Sequence, residues 1–343
     1  MERLLIVSTC LPPRVGGRER AVWELSKRLV RNYEVHIITT EGGKVDGEQF
    51  DGVIHYVPRF PLLTLAYSGI AKHVLRRVLG EVSPEIIHSH AVLPWGYVFR
   101  SERPKKIITC HGSEVYSEKR YLAKRLLASA LNHADRITVP SRWLCEYMQE
   151  HYDLKPELIP NGVDTQIFRA VENIQRADKA VLYVGRFLKH KGIFELMEAA
   201  RMLPEYEFWL AGASATESLE LPSLRNVKIL GVLTHPELAR LYSQAAVAVF
   251  PSCAENFPMA GLEAMACGTP IVATKLGFSE YVEDGLDGLL IEPRDIEALV
   301  SSIQRLLKDD QTRRKLGENA RRKALRYDWN AIAEQYVRMY QST

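Results

Sequence analysis

Two carboxylates stand eight positions apart in a segment that could bind a polyhydroxylated ligand. Glu255 follows the apolar stretch Val247–Phe250, and Glu263 lies inside the helical pattern that comes next. Pro258, between them, suits the first turn of a helix, where backbone N–H groups are free to bind a ligand. One carboxylate could accept hydrogen bonds from sugar hydroxyls and the other from ribose hydroxyls. An isolated pair of glutamates at this spacing is, however, more commonly a surface feature.

Two cations flank a loop that is expected to join a strand to a helix. Arg186 follows Gly185, and Lys191 precedes Gly192. Cations beside a helix start, with glycines that let the backbone come close, suit a diphosphate. They could also neutralise the charge that develops on a leaving phosphate, which is commonly a large term in catalysis. The other interpretation is a loop that carries surface charges.

A histidine follows another apolar run: His111 stands in the sequence Thr109 to Gly112. It could hydrogen bond to a sugar hydroxyl at a reacting centre, or it could be a packed or capping side chain. His88 and His90 are spaced for one face of a strand and suggest a metal. Since no third ligand is evident, we predict no metal site.

The glycine pair Gly16-Gly17 follows the first apolar run and precedes a helical pattern. Glycines permit a close backbone approach, and the helix start offers N–H groups to an anion, although a plain strand-to-helix turn has the same pattern. The sequence contains neither GxGxxG nor GxxxxGK followed by Ser or Thr. Their absence argues against a nicotinamide-dependent enzyme and a P-loop nucleotidase.

The first half of the chain alternates short apolar runs with longer helical patterns, and Gly16-Gly17 and His111 each follow one of the apolar runs. Such alternation predicts a parallel sheet covered on both faces. We expect strands at Arg3–Ser8, Glu34–Thr39, Val53–Val57, Ile86–His88, Lys106–Thr109 and Arg136–Val139, and helices at Arg18–Arg31, Leu62–Val82, Ser117–His133 and Arg142–Tyr152.

The alternation restarts after a polar junction at residues 159–178, so the second half predicts a second sheet of the same kind. Ligands of open α/β sheets bind outside the carboxyl ends of the strands. Two facing sheets would therefore form a cleft that holds the site. We expect strands at Ala180–Val184, Glu207–Ala211, Val227–Leu230, Val247–Phe250 and Pro270–Thr274, and helices at Ile193–Arg201, Pro236–Gln244, Met259–Ala266, Ile296–Leu307 and Gln311–Arg326.

Length and composition fit a globular enzyme of two domains. The chain has 343 residues, of which 46% are hydrophobic and 25% charged. The N-terminal apolar stretch Leu4 to Val7 is too short for a signal sequence, and no window approaches the roughly 18 apolar residues of a membrane span. We therefore expect a cytosolic protein. The five cysteines include no CxxC pair, which disfavours structural zinc and a disulfide framework.

The net charge of +3 is unevenly distributed, with +5 in residues 1–170 and −2 in residues 171–343. A basic half suggests an anionic partner, such as a phosphate-bearing substrate or an acidic membrane surface, and a solvated surface explains so small an excess equally well. Nothing points to nucleic acid. Ser117–His133 places paired basic residues beside leucines, which predicts either a basic amphipathic helix at a membrane or a solvated face over a core stripe.

Together these segments resemble glycosyltransferase family 4, a group of retaining enzymes with the GT-B fold, over nearly the whole chain. The most specific part is Glu255 to Glu263, which matches the family's EX7E motif and leads into the run that ends at Pro270. The other parts of the ordered set are the GGxE element within Pro13 to Glu19, His111-Gly112, Ser141, Pro160 to Asp164 with Phe168, Val184 to Arg186, Lys191-Gly192 and Pro251-Ser252.

The resemblance implies two facing Rossmann-like α/β domains with an interdomain cleft. The N-terminal, acceptor-side domain covers 1–165, the nucleotide-sugar-binding domain covers 166–327, and a final helix at 328–343 crosses back onto the first. Arg186 and Lys191 would bind the donor diphosphate, and Glu255 and His111 would lie at the donor sugar. The resemblance thus implies catalytic roles for His111, Arg186, Lys191 and Glu255, and donor-binding roles for Gly16, Gly17, Gly185, Asn256, Phe257, Pro258 and Glu263, the last of which would hold the ribose.

The sequence departs from the family at one place that bears on the sugar pocket. Many relatives have two adjacent glycines where this chain has Gly277-Phe278. The departure concerns the detail of the pocket and not the class of enzyme.

We predict a retaining glycosyltransferase that moves a sugar from a nucleoside diphosphate sugar to a hydroxyl of a glycan or lipid-linked acceptor, in cell-surface glycoconjugate synthesis. No cofactor and no metal are expected, and the protein is expected in the cytoplasm or peripherally on the inner face of the membrane. The alternatives are a sugar-nucleotide epimerase on the same plan and a non-catalytic sugar-nucleotide-binding protein. The presence of both glutamates, both cations and His111 argues against a decayed site.

Overall fold

The computed structural model describes residues 1–13, 16–45, 47–57, 73, 76–99, 102–112, 121–213 and 221–342. Contacts between Cα atoms divide the chain into two compact units. Unit 1 comprises residues 1–161 with 329–343, and unit 2 comprises residues 162–328. The boundaries predicted from the sequence lie at 165/166 and 327/328.

Unit 1 is built on a parallel sheet of seven strands in the order β3-β2-β1-β4-β5-β6-β7. Its central strand is apolar and fully buried from Leu4 to Val7, as expected for a strand covered on both faces. The strands are β1 (Arg3–Val7), β2 (Glu34–Thr39), β3 (Val53–Tyr56), β4 (Ile86–Ser89), β5 (Lys105–Thr109), β6 (Arg136–Val139) and β7 (Glu157–Leu158).

Helices cover the sheet of unit 1 and close a core that includes Trp95, Phe99 and Met148. Ser141 caps the third helix by accepting a hydrogen bond from the Leu144 N–H at 3.2 Å. Residues 76–82 are helical, whereas most of the predicted helix at Leu62–Val82 lies outside the described residues. The named helices are α1 (Gly17–Leu29), α2 (Tyr121–Asn132), α3 (Arg142–Tyr152) and the C-terminal α9 (Trp329–Gln341).

Unit 2 repeats the plan with six parallel strands in the order β10-β9-β8-β11-β12-β13. Numbered from its own first strand, this order is 3-2-1-4-5-6, the order of the doubly wound Rossmann sheet, which the first six strands of unit 1 also follow. The strands are β8 (Ala177–Val184), β9 (Glu207–Ala211), β10 (Val227–Gly231), β11 (Ala245–Phe250), β12 (Ile271–Thr274) and β13 (Leu289–Ile291).

The core of unit 2 consists of two apolar clusters. One includes Val181, Leu196 and Ile303, and the other includes Phe250 and Met265. Helix starts in this unit carry the expected caps: Asp295 and Asp309 each accept a backbone N–H. The helices are α4 (Ile193–Met202), α5 (His235–Gln244), α6 (Met259–Ala266), α7 (Ile296–Lys308) and α8 (Asp310–Ala324), with a short kinked turn at Lys275–Phe278.

The predicted α/β class and the predicted alternation of strands and helices are confirmed. Two short strands, β7 with two residues and β13 with three, were not predicted from the sequence. Within the described part of the chain, no helix combines the length and the apolar character needed to span a membrane.

Candidate functional site

The strand order of unit 2 reverses between β8 and β11, and candidate residues follow both strands. Gly185 and Arg186 come directly after β8, and Glu255 lies five residues after the end of β11. Ligands of open α/β sheets bind at such a reversal, outside the carboxyl ends of the strands. The fold of unit 2 therefore gathers these residues where a nucleotide is expected.

An ion pair joins the two loops. The Lys191 Nζ donates to Oε1 of Glu255 at 2.6 Å, and both side chains are largely shielded from solvent. The Cys253 N–H donates to the His190 carbonyl at 2.8 Å, and the Ser252 hydroxyl donates to the Lys191 carbonyl at 3.5 Å. A cation and a carboxylate are thus held together at the rim of the sheet by both backbone and side-chain contacts. The sequence analysis singled out both residues but did not predict this contact.

Gly192 allows the two loops to come this close. Its φ is 74°, and a Cβ at this position would lie 2.0 Å from the carbonyl oxygen of Pro251. A side chain at position 192 would push the β8–α4 loop away from the loop that carries Glu255. Gly192 is therefore required for steric reasons, whereas Lys191 contributes its charge.

Arg186 is exposed, and its carbonyl accepts a hydrogen bond from the buried Tyr183 hydroxyl at 3.0 Å. Burial, together with the charge of Glu255, raises the pKa of Tyr183 above its ordinary value. The phenol therefore stays a neutral donor that fixes the backbone of the arginine. The guanidinium remains accessible to an anion.

The Glu255-Asn256 backbone rests against Gly277. The φ of Gly277 is 71°, and a Cβ there would lie 2.8 Å from the Glu255 Cβ and 2.9 Å from its carbonyl carbon. Phe278, where many relatives have a second glycine, is buried and stacks on Phe250 with ring centroids 5.4 Å apart. The chain thus keeps Gly277, which this contact requires, and has a buried core residue, Phe278, at the next position.

Pro258 precedes α6, and its carbonyl accepts a hydrogen bond from the Tyr281 hydroxyl at 2.6 Å. The Phe257 ring is buried and lies 5.2 Å from the ring of Tyr281, centroid to centroid. Phe257 is therefore packed into the core, so its contribution to a ligand would come from its backbone. Asn256 and Phe257 lead directly into the free N–H groups of the helix start.

Glu263 lies in α6 and is 9% exposed. The Tyr242 hydroxyl lies 3.4 Å from its Oε2 and 3.1 Å from the Ala260 carbonyl oxygen, and it can donate to either. Burial, followed by the charge of Glu263, raises the pKa of Tyr242. The carboxylate is thus held by the helix and by a neutral phenol, which suits a binding role more than a proton-transfer role.

In unit 1 the strand order reverses between β1 and β4. Gly16 is the residue before α1, with φ −177°, and a Cβ on it would lie 2.0 Å from Oε2 of Glu19. Gly16 therefore leaves room for the glutamate of the GGxE element, which folds back over the helix start. A Cβ on Gly17 would meet nothing within 4 Å, so no crowding explains the second glycine.

His111 follows β5 and contacts a histidine that the sequence analysis did not place in the site. Its Nε2 lies 3.1 Å from Nδ1 of His90, whose ring packs on His88 with centroids 4.1 Å apart. Burial lowers the pKa of all three imidazoles, and the charge of Arg18 lowers those of His90 and His111 further. These rings are therefore neutral at physiological pH.

His88 has no ring nitrogen left for a metal ion. Its Nδ1 lies 2.5 Å from the Tyr340 hydroxyl on α9, and its Nε2 lies 2.7 Å from Oγ1 of Thr109. A metal would have to displace both contacts. The spacing of His88 and His90, which the sequence analysis noted, marks a packed histidine column.

The structure thus groups Gly185, Arg186, Lys191 and Glu255 in unit 2, with Glu263 on the following helix. In unit 1 it places Gly16 and Gly17 at the switch point and His111 one strand further along. The expected meeting of the two groups across a cleft stays a prediction. His90 and Arg18 are the residues that sequence reasoning missed, and only the two-residue spacing from His88 could have pointed to His90.

Two family models match the chain in succession. The model described as Glycosyltransferase Family 4 matches residues 15–167, and the one described as Glycosyl transferases group 1 matches residues 164–323. An uncharacterized glycosyltransferase of Methanocaldococcus jannaschii is 27% identical over 98% of this chain and 99% of its own. The N,N'-diacetylbacillosaminyl-diphospho-undecaprenol alpha-1,3-N-acetylgalactosaminyltransferase of Campylobacter jejuni is 36% identical over 47% of this chain and 44% of its own.

Solved structures of other proteins have the same fold as this chain. Sucrose-phosphate synthase from Thermosynechococcus elongatus matches with a TM-score of 0.85 at 25% identity, over 99% of this chain and 98% of its own. Anabaena HepE in complex with UDP-glucose matches with a TM-score of 0.82 at 18% identity, over the whole of both chains. The second likeness concerns the fold alone.

Proposed function

The chain belongs to glycosyltransferase family 4, with the GT-B fold, and from that membership we propose that it uses a nucleoside diphosphate sugar and retains the anomeric configuration. The sugar goes to a hydroxyl of a glycan or lipid-linked acceptor. Neither a cofactor nor a metal ion takes part.

One observation carries the proposal: the contact between Lys191 and Glu255 at the carboxyl edge of the unit 2 sheet. Cations neutralise the charge of a diphosphate, and a carboxylate accepts hydrogen bonds from sugar hydroxyls. The two loops supply both at one place, with the accessible Arg186 on the first of them. Preorganised charges of this kind are the usual source of transition-state stabilisation.

The roles proposed for the individual residues are those that the family resemblance implies. Arg186 and Lys191 stabilise the charge that grows on the leaving diphosphate. Glu255 faces the donor sugar, and Glu263 binds the ribose hydroxyls. The leaving phosphate oxygen accepts the proton of the acceptor hydroxyl, which attacks from the face that the diphosphate leaves. No carboxylate then acts as the nucleophile, in contrast to a retaining glycosidase.

The names of similar proteins support the substrate classes. HepE was solved with UDP-glucose, and the Campylobacter relative is named for a diphospho-undecaprenol acceptor. A lipid-linked acceptor that carries phosphate fits the basic character of residues 1–170.

The donor is found by thermal shift with UDP, GDP and ADP sugars, because a ligand stabilises the folded state by RT ln(1 + [L]/Kd). The donor that raises Tm is then incubated with candidate acceptors in excess EDTA, and the anomer of the product is determined from NMR coupling constants. We expect transfer with retention in EDTA. Activity that EDTA abolishes and manganese restores, or an inverted anomer, would overturn the mechanism.

The alternatives are separated by incubating the donor without an acceptor. An epimerase converts the donor sugar under these conditions. A binding protein raises Tm with the donor but produces neither an epimer nor a transfer product with any acceptor.

A further inference from the structure

Three imidazoles form a column at the carboxyl ends of β4 and β5. The ring centroids lie 4.1 Å apart for His88 and His90 and 5.3 Å apart for His90 and His111. One hydrogen bond, of 3.1 Å, joins Nδ1 of His90 to Nε2 of His111. In such a bond between neutral rings, one nitrogen carries the proton and the other accepts it.

His88 packs against the His90–His111 pair and is held in one orientation by its own hydrogen bonds. Its two nitrogens contact the Tyr340 hydroxyl and Oγ1 of Thr109, and Thr109 in turn lies 2.6 Å from the Thr138 hydroxyl. Both nitrogens of His88 are thus in use, so it cannot exchange a proton with His90. The tautomers of His90 and His111 therefore depend on their own contacts.

Burial keeps both rings neutral. It lowers the pKa of His90 to about 3, with the cation Arg18 contributing in the same direction. The pKa of His111 is lowered by burial first and then by the charges of His90 and Arg18. Each ring therefore has one proton, and the question is which nitrogen bears it.

The surroundings of Nε2, the other ring nitrogen of His90, determine whether the proton of His90 lies on Nδ1 or on Nε2. His90 is 2% exposed, and its Nε2 has no hydrogen-bond partner among the residues that the structure describes. A proton on Nε2 would leave a buried N–H without an acceptor, in the positive field of Arg18. A lone pair there is less costly in burial and is favoured by the nearby cation. The proton of His90 therefore belongs on Nδ1, where it donates to His111.

We propose that His90 is a positioning residue that holds His111 in the tautomer with its proton on Nδ1. Because His111 accepts at Nε2, its one ring proton lies on Nδ1. An effect of this tautomer on sugar transfer rests on the proposed function, whereas the tautomer does not.

The tautomer is measured first, without any substrate. Protein labelled with ¹⁵N-histidine gives long-range ¹H–¹⁵N correlations that distinguish protonated from bare ring nitrogens, and the His111 signals are assigned with His111→Gln. We expect a protonated Nδ1 and a bare Nε2 in the wild-type protein. His90→Leu removes the donor and should give His111 a mixture of tautomers, while His90→Asn, whose amide reaches the Nδ1 position, should keep the wild-type pattern.

A proton on Nε2 of His111 in the wild-type protein would overturn the proposal, as would a His111 pattern that His90→Leu leaves unchanged. If His90→Leu does not fold, His90→Gln takes its place, because its amide reaches the Nε2 position instead. This measurement stands even if no transfer activity is found, so failure of the proposed function and failure of the inference are distinguishable.

Kinetics provide the second readout. His90→Leu should lower kcat on the order of 10–100-fold, by analogy with the loss when the partner that orients a metal-ligating histidine is removed, with a smaller change in KM. His90→Asn should restore most of the rate. Equal losses in the two variants would mean that His90 only fills space, and the positioning role would be wrong.

The chain contains a matched control pair. Nδ1 of His36 lies 3.0 Å from Nε2 of His55 on the neighbouring strands β2 and β3, and His36 is also buried. His36→Leu and His36→Asn repeat the same substitutions outside the candidate site. We expect both to leave kcat and the His111 signals unchanged. A His36→Leu effect equal to that of His90→Leu would assign the loss to stability and overturn the inference.

Discussion

The Lys191–Glu255 ion pair joins the two kinds of group that the reaction needs, so single-residue changes there are the most direct test. Replacing Lys191 with Met, or Arg186 with Gln, should lower kcat on the order of 10²–10³-fold, because each removes one preorganised charge from the leaving diphosphate. The fold should persist, since both residues lie on a loop. Steady-state kinetics and Tm, measured side by side, separate the two effects.

Lys189 provides the control for this change. It lies on the same short turn as Lys191 and is exposed, so Lys189→Met removes the same charge without removing a contact to Glu255. We expect nearly wild-type kinetics. Equal losses for Lys189→Met and Lys191→Met would indicate a general field effect and contradict the assigned role.

Glu263 differs from Glu255 in being held inside a helix. Its replacement should weaken donor binding, because ribose contacts are similar in the ground and transition states and affect KM more than kcat. Glu263→Ala would leave a cavity, so Glu263→Gln is the milder change for a side chain that is 9% exposed. We expect the donor KM to rise about tenfold, the effect of losing about 1.4 kcal/mol of binding. A fall in kcat at an unchanged KM would assign Glu263 to the chemical step instead.

The turn after β12 supports the loop that carries Glu255. Gly277 and Gly285 have φ values of 71° and 73°, but only a Cβ on Gly277 meets the Glu255 backbone, whereas that on Gly285 meets nothing within 4 Å. Alanine costs about 1–2 kcal/mol at either position because of the left-handed conformation. Gly277→Ala should cost more and should also lower kcat/KM, since Glu255 must move.

Urea unfolding and kinetics of the two alanine variants measure this difference directly. Gly285→Ala should lose stability but retain kcat/KM. If Gly277→Ala also retained kcat/KM, the loop would have enough freedom to absorb the Cβ, and the supporting role of the turn would be wrong.

An ionic cluster fastens the segment before β3 to α1. Glu48 accepts hydrogen bonds from Arg20 at 2.7 Å, Trp23 at 2.8 Å and Lys27 at 2.5 Å. Burial would raise the pKa of Glu48, but the bonds from Lys27, Arg20 and Trp23 outweigh it and hold the pKa at about 2. Since this lies below the value of about 4.3 in an unfolded chain, the stabilisation is complete above pH 4.3 and is lost as the pH falls toward 2.

Glu48→Gln should therefore lower the free energy of unfolding at pH 7 on the order of 2–3 kcal/mol, and the difference from wild type should shrink between about pH 4.3 and 2. Urea unfolding across this range measures it. Glu334, an exposed carboxylate in a loose pair with Arg338 at 3.8 Å, is the control, and Glu334→Gln should change little. A difference for Glu48→Gln that stays constant with pH would contradict the electrostatic account.

How far the sequence predicted these elements depended on their length and pairing. Arg142–Tyr152 and Met259–Ala266 were predicted with the observed bounds, because helices of two or three turns repeat their apolar positions. Glu157–Leu158 and Leu289–Ile291 were missed, since each lies at the edge of its sheet and is too short to show a period. Such strands form because a neighbouring strand offers hydrogen bonds, which no local pattern records.

The sequence predicted which residues follow strands but not which side chains touch. Parallel strands bring their carboxyl ends to one edge, so predicting Arg186 and Glu255 at the same edge required only the strand assignments. The Lys191–Glu255 contact spans 64 residues and the His90–His111 contact spans 21. Both depend on the course of loops, which is determined by contacts such as that of Gly192 with Pro251.

Membrane contact is predicted from the sequence, and the structure changes the physical basis of that prediction. Leu127 and Leu131 of α2 are buried in the core of unit 1, whereas Lys124 and Arg125 are exposed. Residues 113–120, which include the first part of the predicted Ser117–His133 helix, lie outside the described residues. Among the side chains of α2 that the structure describes, which begin at Lys124, the exposed ones named here are charged, so binding to anionic lipid should be electrostatic.

Electrostatic attachment contributes about 1 kcal/mol per basic residue near an anionic surface and is screened by salt. We expect the protein to float with anionic vesicles at low ionic strength and not with neutral vesicles. Binding should weaken steeply as salt is added, and Lys124→Glu combined with Arg125→Glu should reduce it. The same double charge reversal at the exposed Lys308 and Arg314 of unit 2 should have a smaller effect, because those residues belong to the acidic half of the chain. Absence of flotation at low salt would exclude the membrane, and binding that persists at high salt would contradict the electrostatic account.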